Sequence, residues 1–423
     1  MKTKIKRVLS VFSVFALSIT YINCPPASKS NDASALLALL SSGSLCGDIT
    51  SAQSFSGNVE LCGIATVKSG GSITFAPGTT VKAFPGSYIL VLPGGKIFAD
   101  GTAGSPIVFT SGIAVGSRAP GDWGGIVIIG RASGAAAGDT EGVNPQPYGL
   151  TVAAANEADN SGILNYVRIE FAGNEVASGD ELNGLSLYGV GTGTTISYVQ
   201  VHRGLDDGIE AWGGSVNMDH ILVTGGMDDD IDLDEAYAGT INTLITHKYP
   251  VACGGTYSSD PRSFEMDGFA GGGADPVAGY RDGTYTATIT NFTAIGIPTA
   301  GVSGSAAYKF REGFHGNFSN GIFMARNNSS AGNTQENTTG SNETTVTFAA
   351  TVFKTPATST SVTGSPSITG SITDDADADI TEYGESSCEF TTTPNYTLIN
   401  ASINGGNGAD GQWYSGWTYY RAN

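Results

Sequence analysis

The sequence predicts an all-β fold, a parallel β-helix (solenoid) whose coils are about 22–24 residues long, with a cap at each end. The first observation behind it is an internal repeat. Tyr198-Val-Gln-Val-His-Arg-Gly-Leu-Asp206-Asp207-Gly-Ile-Glu210-Ala-Trp212 is followed by His220-Ile-Leu-Val-Thr-Gly-Gly-Met-Asp228-Asp229-Asp230-Ile-Asp232-Leu-Asp234, a shift of 22 residues. The second is the alternation of apolar and polar residues inside each copy, the period of a strand with one face in a core. The third is composition. With 60 glycines, 14% charged residues and runs of Val, Ile, Thr and Tyr broken by Gly or Asn, the chain reads as short strands and tight turns.

Residues 1–23 read as a secretory signal peptide. Lys2, Lys4, Lys6 and Arg7 precede an apolar run over 8–22 that is too short and wrongly flanked for a membrane span. Cys24 follows directly. Ile19-Thr-Tyr-Ile-Asn23-Cys24 resembles the relaxed lipobox of spirochaete lipoproteins, with a small polar residue before the cysteine. Tyr21 and Asn23 depart from the strict bacterial pattern, which has Leu and a Gly or Ala at those places. The resemblance implies lipidation at Cys24 and an outer-membrane location, on the cell surface or the periplasmic face. The alternative is ordinary cleavage, with Cys24 an incidental thiol.

Residues 24–45 form a Ser-, Ala- and Leu-rich tether in which 36–40 can make a helical turn, and 46–423 a single β-helix domain. Cys46, Cys62, Cys253 and Cys388 remain, an even number that suggests disulfides and allows three pairings. Cys46 with Cys62 is preferred because it staples the first coil to its cap. Cys253 with Cys388 follows. Without the four basic leader residues the chain carries 16 basic and 39 acidic residues, a formal −23. Such a surface repels phosphates and excludes nucleic-acid binding, favouring metal cations and basic protein patches.

Strands follow one another over 63–110: Ile73-Thr-Phe75, Thr80-Val-Lys-Ala-Phe84, Tyr88-Ile-Leu-Val-Leu92, Lys96-Ile-Phe98 and Pro106-Ile-Val-Phe109. Pro77-Gly78, Pro85-Gly86 and Pro93-Gly94-Gly95 turn the chain between them. Then come Pro120-Gly-Asp-Trp-Gly-Gly-Ile-Val-Ile-Ile-Gly-Arg131, Asn160-Ser-Gly-Ile-Leu-Asn-Tyr-Val-Arg-Ile-Glu-Phe-Ala-Gly173, Glu181-Leu-Asn-Gly-Leu185 and the two acidic coils. This ordered series, over roughly residues 60–330, resembles a family of exported right-handed parallel β-helix proteins with a pectin-lyase-like fold. That family is known among spirochaete outer-membrane lipoproteins and secreted Bacteroidetes proteins. The resemblance implies handedness and export. It implies no reaction, because members mostly have no established activity.

Residues 331–381 leave the pattern, being rich in Asn, Thr, Ser and Gly, and read as a surface insertion. Residues 400–423 carry Trp413, Trp417, Tyr419 and Tyr420 and read as an aromatic plug over the last coil.

In the repeat, Val199, Val201, Ile209 and Ala211 match Ile221, Val223, Ile231 and Leu233 and point inward. The outward strip then reads Tyr188, Trp212, Asp234 in one column and Ser186, Glu210, Asp232 in the next, with Asp206, Asp207, Asp228 and Asp229 at the turn beside it. From 204 to 246 there are ten acids and no Lys or Arg. Two carboxylates about 4.8 Å apart repel by roughly 0.9 kcal/mol in water and about 3.5 kcal/mol at an effective dielectric of 20. A bridging hard cation relieves that repulsion. Calcium is the candidate, on Asp206, Asp207, Asp228, Asp229, Asp230 and Asp232. The plain alternative is turn capping, since Asp side chains bond nearby backbone NH groups. It accounts for Asp206 and Asp228 better than for Asp230, Asp232 and Asp234.

Three functions follow. The leading one is a non-enzymatic, lipid-anchored surface module that binds calcium. The second binds or cleaves a saccharide, with Tyr188 and Trp212 stacking on a sugar and Glu210, Asp232 and Asp234 as its polar contacts. The third is a passive or host-contacting surface. Sequence leans against catalysis: Val216-Asn-Met-Asp219-His220 shares only its last two residues with the Trp-Ile-Asp-His segment of pectate lyases. Neither the Gly-His-Gly nor the Arg-Ile-Lys segment of polygalacturonases occurs, and His315 in Phe-His-Gly is the nearest approach.

Overall fold

The structure is a computed structural model that describes residues 43–423, except 143, 178–179, 270–275, 298–306, 325–331, 336–342, 355–359, 364–365, 375–376, 383–387, 389–392 and 400. The leader, Cys24, the 36–40 turn and the tether as far as residue 42 lie outside the described residues.

Alternation decides the architecture. Ile209 and Ala211 of the strand Ile209–Trp212 are fully buried and stack in register on Ile231 and Leu233 of Ile231–Asp234. An Ile or Leu buried this way contributes about 1.5–3 kcal/mol by leaving water, but only against the coils above and below. Repeated along the chain, this builds one 24-stranded sheet, paired throughout in parallel. The fold is a right-handed parallel β-helix, with the coils that the repeat predicts and the hand that the resemblance implies. Among the described residues there is no α-helix, only the three-residue 3-10 turns Val251–Cys253 and Gly405–Asn407.

One bend recurs without glycine. Tyr166, Tyr198, His220, Thr243, Asn291, Asn320 and Ala350 hold the same place in seven successive coils, each with φ between 47° and 58°. The left-handed region costs an ordinary residue about 1–2 kcal/mol. Stacking offsets part of it: Tyr166 lies on Tyr198 at 4.4 Å between ring centroids, and Tyr198 on His220 at 4.3 Å.

The described strands within 331–381 belong to the solenoid and not to a surface insertion. Gly332–Gln335, Thr345–Lys354, Thr360–Thr363 and Ser367–Asp374 extend the sheet coil by coil. Thr suits a strand's solvent face as well as Val does, so a polar composition concealed strands.

The aromatic C-terminus is not a plug over the last coil either. It lies along the flank of the middle coils. Arg168 donates to the Trp417 carbonyl at 3.1 Å, Gln200 to that of Tyr419 at 2.6 Å, and Tyr249 to that of Tyr420 at 3.1 Å. His202 Nε2 reaches the Arg421 carbonyl at 2.6 Å. The reason is an apolar flank: Leu222, Ile245, Ile322 and Val352 share one outward column and would otherwise face water. Cys46 bonds Cys62, and Cys253 bonds Cys388 at the root of this C-terminal strap.

Candidate metal centre

Two outward columns run along a different stack of strands from the one that carries Arg168, Gln200 and His202 under the strap. One reads Leu90, Val127, Ser186, Glu210, Asp232, Glu265, Lys309. The other runs Ile129, Tyr188, Trp212, Asp234, with Asp267 and Arg311 following in the next two coils. Each passes from apolar through acidic to basic.

The basic end neutralises its neighbours. Lys309 sits 3.0 Å and Arg311 2.6 Å from Glu265, and Arg311 is 2.7 Å from Asp267. Burial pushes Glu265 up, but Arg262, Arg311 and Lys309 outweigh it and hold the carboxyl below its ordinary value. One coil earlier that compensation ends. Around Asp206, Asp207, Glu210 and Asp232 the charges that act are other acids. Burial first, then Asp228, Glu181 and Glu141, push Asp206 up to about 8. Asp207, Glu210, Asp229 and Asp232 are raised well above the usual range by burial first and then by neighbouring acids, Asp206 foremost for Asp207, Glu141 for Glu210, Glu265 for Asp229 and Asp234 for Asp232.

Turn bonding does occur here, one residue along from where sequence suggests it. Asn183 Oδ1 accepts the Asp207 amide at 3.1 Å, Asp207 Oδ1 accepts that of Asp229 at 2.9 Å, and Asp229 Oδ1 accepts that of Arg262. The ladder uses one oxygen per side chain. Asn183 also donates to Glu210 Oε2 at 2.6 Å, which fixes that carboxylate.

These groups line a cleft of about 310 Å³. Asp206, Asp207, Glu210, Asp228, Asp229 and Asp232 face it, as expected from the repeat, together with Glu141, Glu181, Ser258, Ser259, Asp260, Glu265 and Lys309. The added residues sit on excursions or in later coils, where no periodic signal marks them. Carboxylate oxygens of Asp206, Asp207 and Asp228 lie within 4.8 Å of one another, as do those of Asp207, Glu210 and Asp232. Asp232 Oδ1 is buried and has no hydrogen-bond partner among the described residues.

Three expectations need correction. Asp230 is not brought to the cleft: it is fully buried and paired with buried Lys248 at 2.9 Å, outside the cleft lining. Asp234 does not line the cleft. Tyr188 and Trp212 do not offer an exposed stacking platform. They stack on each other at 3.9 Å and are buried, with Tyr148 packed against Tyr188 at 4.7 Å. The physical cause is the excursion carrying Pro147–Tyr148, which covers the apolar part of the strip.

A crowded, buried set of oxygens has two stable states, protonated or bridged by a hard cation. Its donors fit the second: the lining is all oxygen apart from Lys309, without sulfur or imidazole. No curated protein and no solved structure matches the chain. The family described as pectate-lyase-like β-helix domain matches residues 47–418. The chain belongs to that family of β-helix domains.

Proposed function

We propose that the chain is a lipid-anchored bacterial surface β-helix protein, non-enzymatic, that binds a divalent cation, calcium, in the acidic cleft. One observation carries the reading: carboxylate oxygens of Asp207, Glu210 and Asp232 converge, the charges acting on them are those of other acids, and Asp232 Oδ1 is left without a hydrogen-bond partner among the described residues. Leaving that oxygen unsatisfied costs about 1–3 kcal/mol, more for a charged group. Calcium takes six to eight oxygens at about 2.3–2.6 Å and tolerates irregular geometry, which suits stacked carboxylates better than magnesium's strict octahedron. The test is the melting temperature with calcium and with chelator. Calcium at 100 times its dissociation constant adds about 2.7 kcal/mol, several degrees for a domain of this size. The shift is expected to vanish in Asp207→Asn/Asp229→Asn, and coincident curves for the unmodified chain would sink the reading.

The family gives a second reading, a carbohydrate-directed activity in the same cleft. Glycoside cleavage uses a protonated acid beside an ionised one, and Asp206, with its raised value, offers the first. Release of new sugar ends from a polysaccharide, lost in Asp206→Asn, would favour it over the first.

A further inference from the structure

We propose that the cleft holds two divalent cations side by side, with Asp207 bridging them. This rests on the cation-binding reading and adds the number of ions and their arrangement. The two groups of oxygens share one member. Asp206, Asp207 and Asp228 form an outer triad, and Asp207, Glu210 and Asp232 an inner one. Within each, the oxygens span no more than 4.8 Å. Ligands on opposite sides of one calcium ion, at about 2.4 Å each, are separated by about that distance. Each triad is therefore the size of one coordination sphere, not of two. A carboxylate has two oxygens, and two ions sharing one stand about 3.5–4 Å apart.

The surroundings fix the bridge and bound the site. Asp207 Oδ1 accepts the Asp229 amide at 2.9 Å, which sets the plane of the shared carboxylate. Asn183 holds Glu210 from the other side at 2.6 Å. Glu265 is engaged by Lys309 and Arg311, so the row of available acids ends at Asp232. Asp232, a member of the inner triad, carries the buried Oδ1 that has no hydrogen-bond partner among the described residues, which points to an inner ion independently of the charge count. Charge supports the same number. The five carboxylates of the two triads carry a formal −5 when ionised; one divalent cation leaves −3, and two leave −1.

The experiment is equilibrium dialysis of the full chain against calcium, read as ions bound per chain. Two are expected. Asp232→Asn is expected to keep only the outer ion, Asp206→Asn only the inner, and Asp207→Asn neither at comparable affinity. One ion per unmodified chain, or two that both survive Asp232→Asn, overturns the bridged pair while leaving calcium binding intact. No bound ion overturns the cation-binding reading itself. If Asp232→Asn fails to fold, Glu210→Gln reports on the same triad. Crystals of the unmodified chain grown with terbium need no substitution: two anomalous peaks about 3.5–4 Å apart beside Asp207 are expected, and a single peak there refutes the pair.

Discussion

Trp212 lies flat on Tyr188 at 3.9 Å, and Tyr148 packs against the other member of the pair. Trp212→Ala empties that stack and is expected to lower stability by about 3–5 kcal/mol, read as a lower urea midpoint, while calcium stoichiometry holds. Loss of bound calcium with no loss of stability would mean that the ring serves the site rather than the packing. The acids one column away set a pH dependence. Folding raises Asp206 from 3.8 to about 8, so the folded chain holds a proton that the unfolded chain has released. Stability from this group is full below about pH 4 and is lost as pH rises through about 8. In chelator the melting temperature should therefore fall over that window, and saturating calcium should abolish the fall. A flat chelator curve would count against a buried acid cluster. Sequence exposes Asp207, Asp229 and Asp232 because stacking makes a neighbour of every residue one period away. It does not expose the fate of Asp230, whose partner Lys248 lies outside the repeat, or the burial of Trp212, which depends on a cover from residue 148.

Strands are legible wherever one face is polar, because alternation is then visible. Leu222, Ile245 and Val352 point outward yet are apolar, which is what a strand covered on both faces looks like. That signal announces a covering element without identifying it. The cover is the C-terminal strap, and its aromatic residues are equally suited to a plug at the end of the stack. The Cys253–Cys388 bond, 135 residues apart, should make the strap a stabilising element. Cys388→Ser is expected to remove about 2–5 kcal/mol, measured by denaturant unfolding. It should also weaken calcium binding, since Ser258, Ser259 and Asp260 of the cleft follow Cys253 on the same loop. Unchanged affinity would separate the loop from the site.

Over the whole chain, a net charge of −19 and a basic, apolar leader set the expected location more than the fold does. No helix among the described residues is long and apolar enough to cross a membrane. If the proposed lipid anchor sits on Cys24, Cys24→Ala is expected to move the protein from the membrane fraction to the soluble one in cells that process lipoproteins. Continued membrane association of that variant would refute a lipid anchor at this residue.

The strap has a mechanical consequence. Coils that touch only their neighbours can peel away singly when pulled from one end. Here Arg168, the pair Gln200 and His202 on one strand, and Tyr249, from three coils, are all bonded to the last few residues of the chain. A load applied at the N-terminal end would unwind the early coils one after another. It would then meet a block that has to shear as a unit, so extension should show small steps followed by one large rupture.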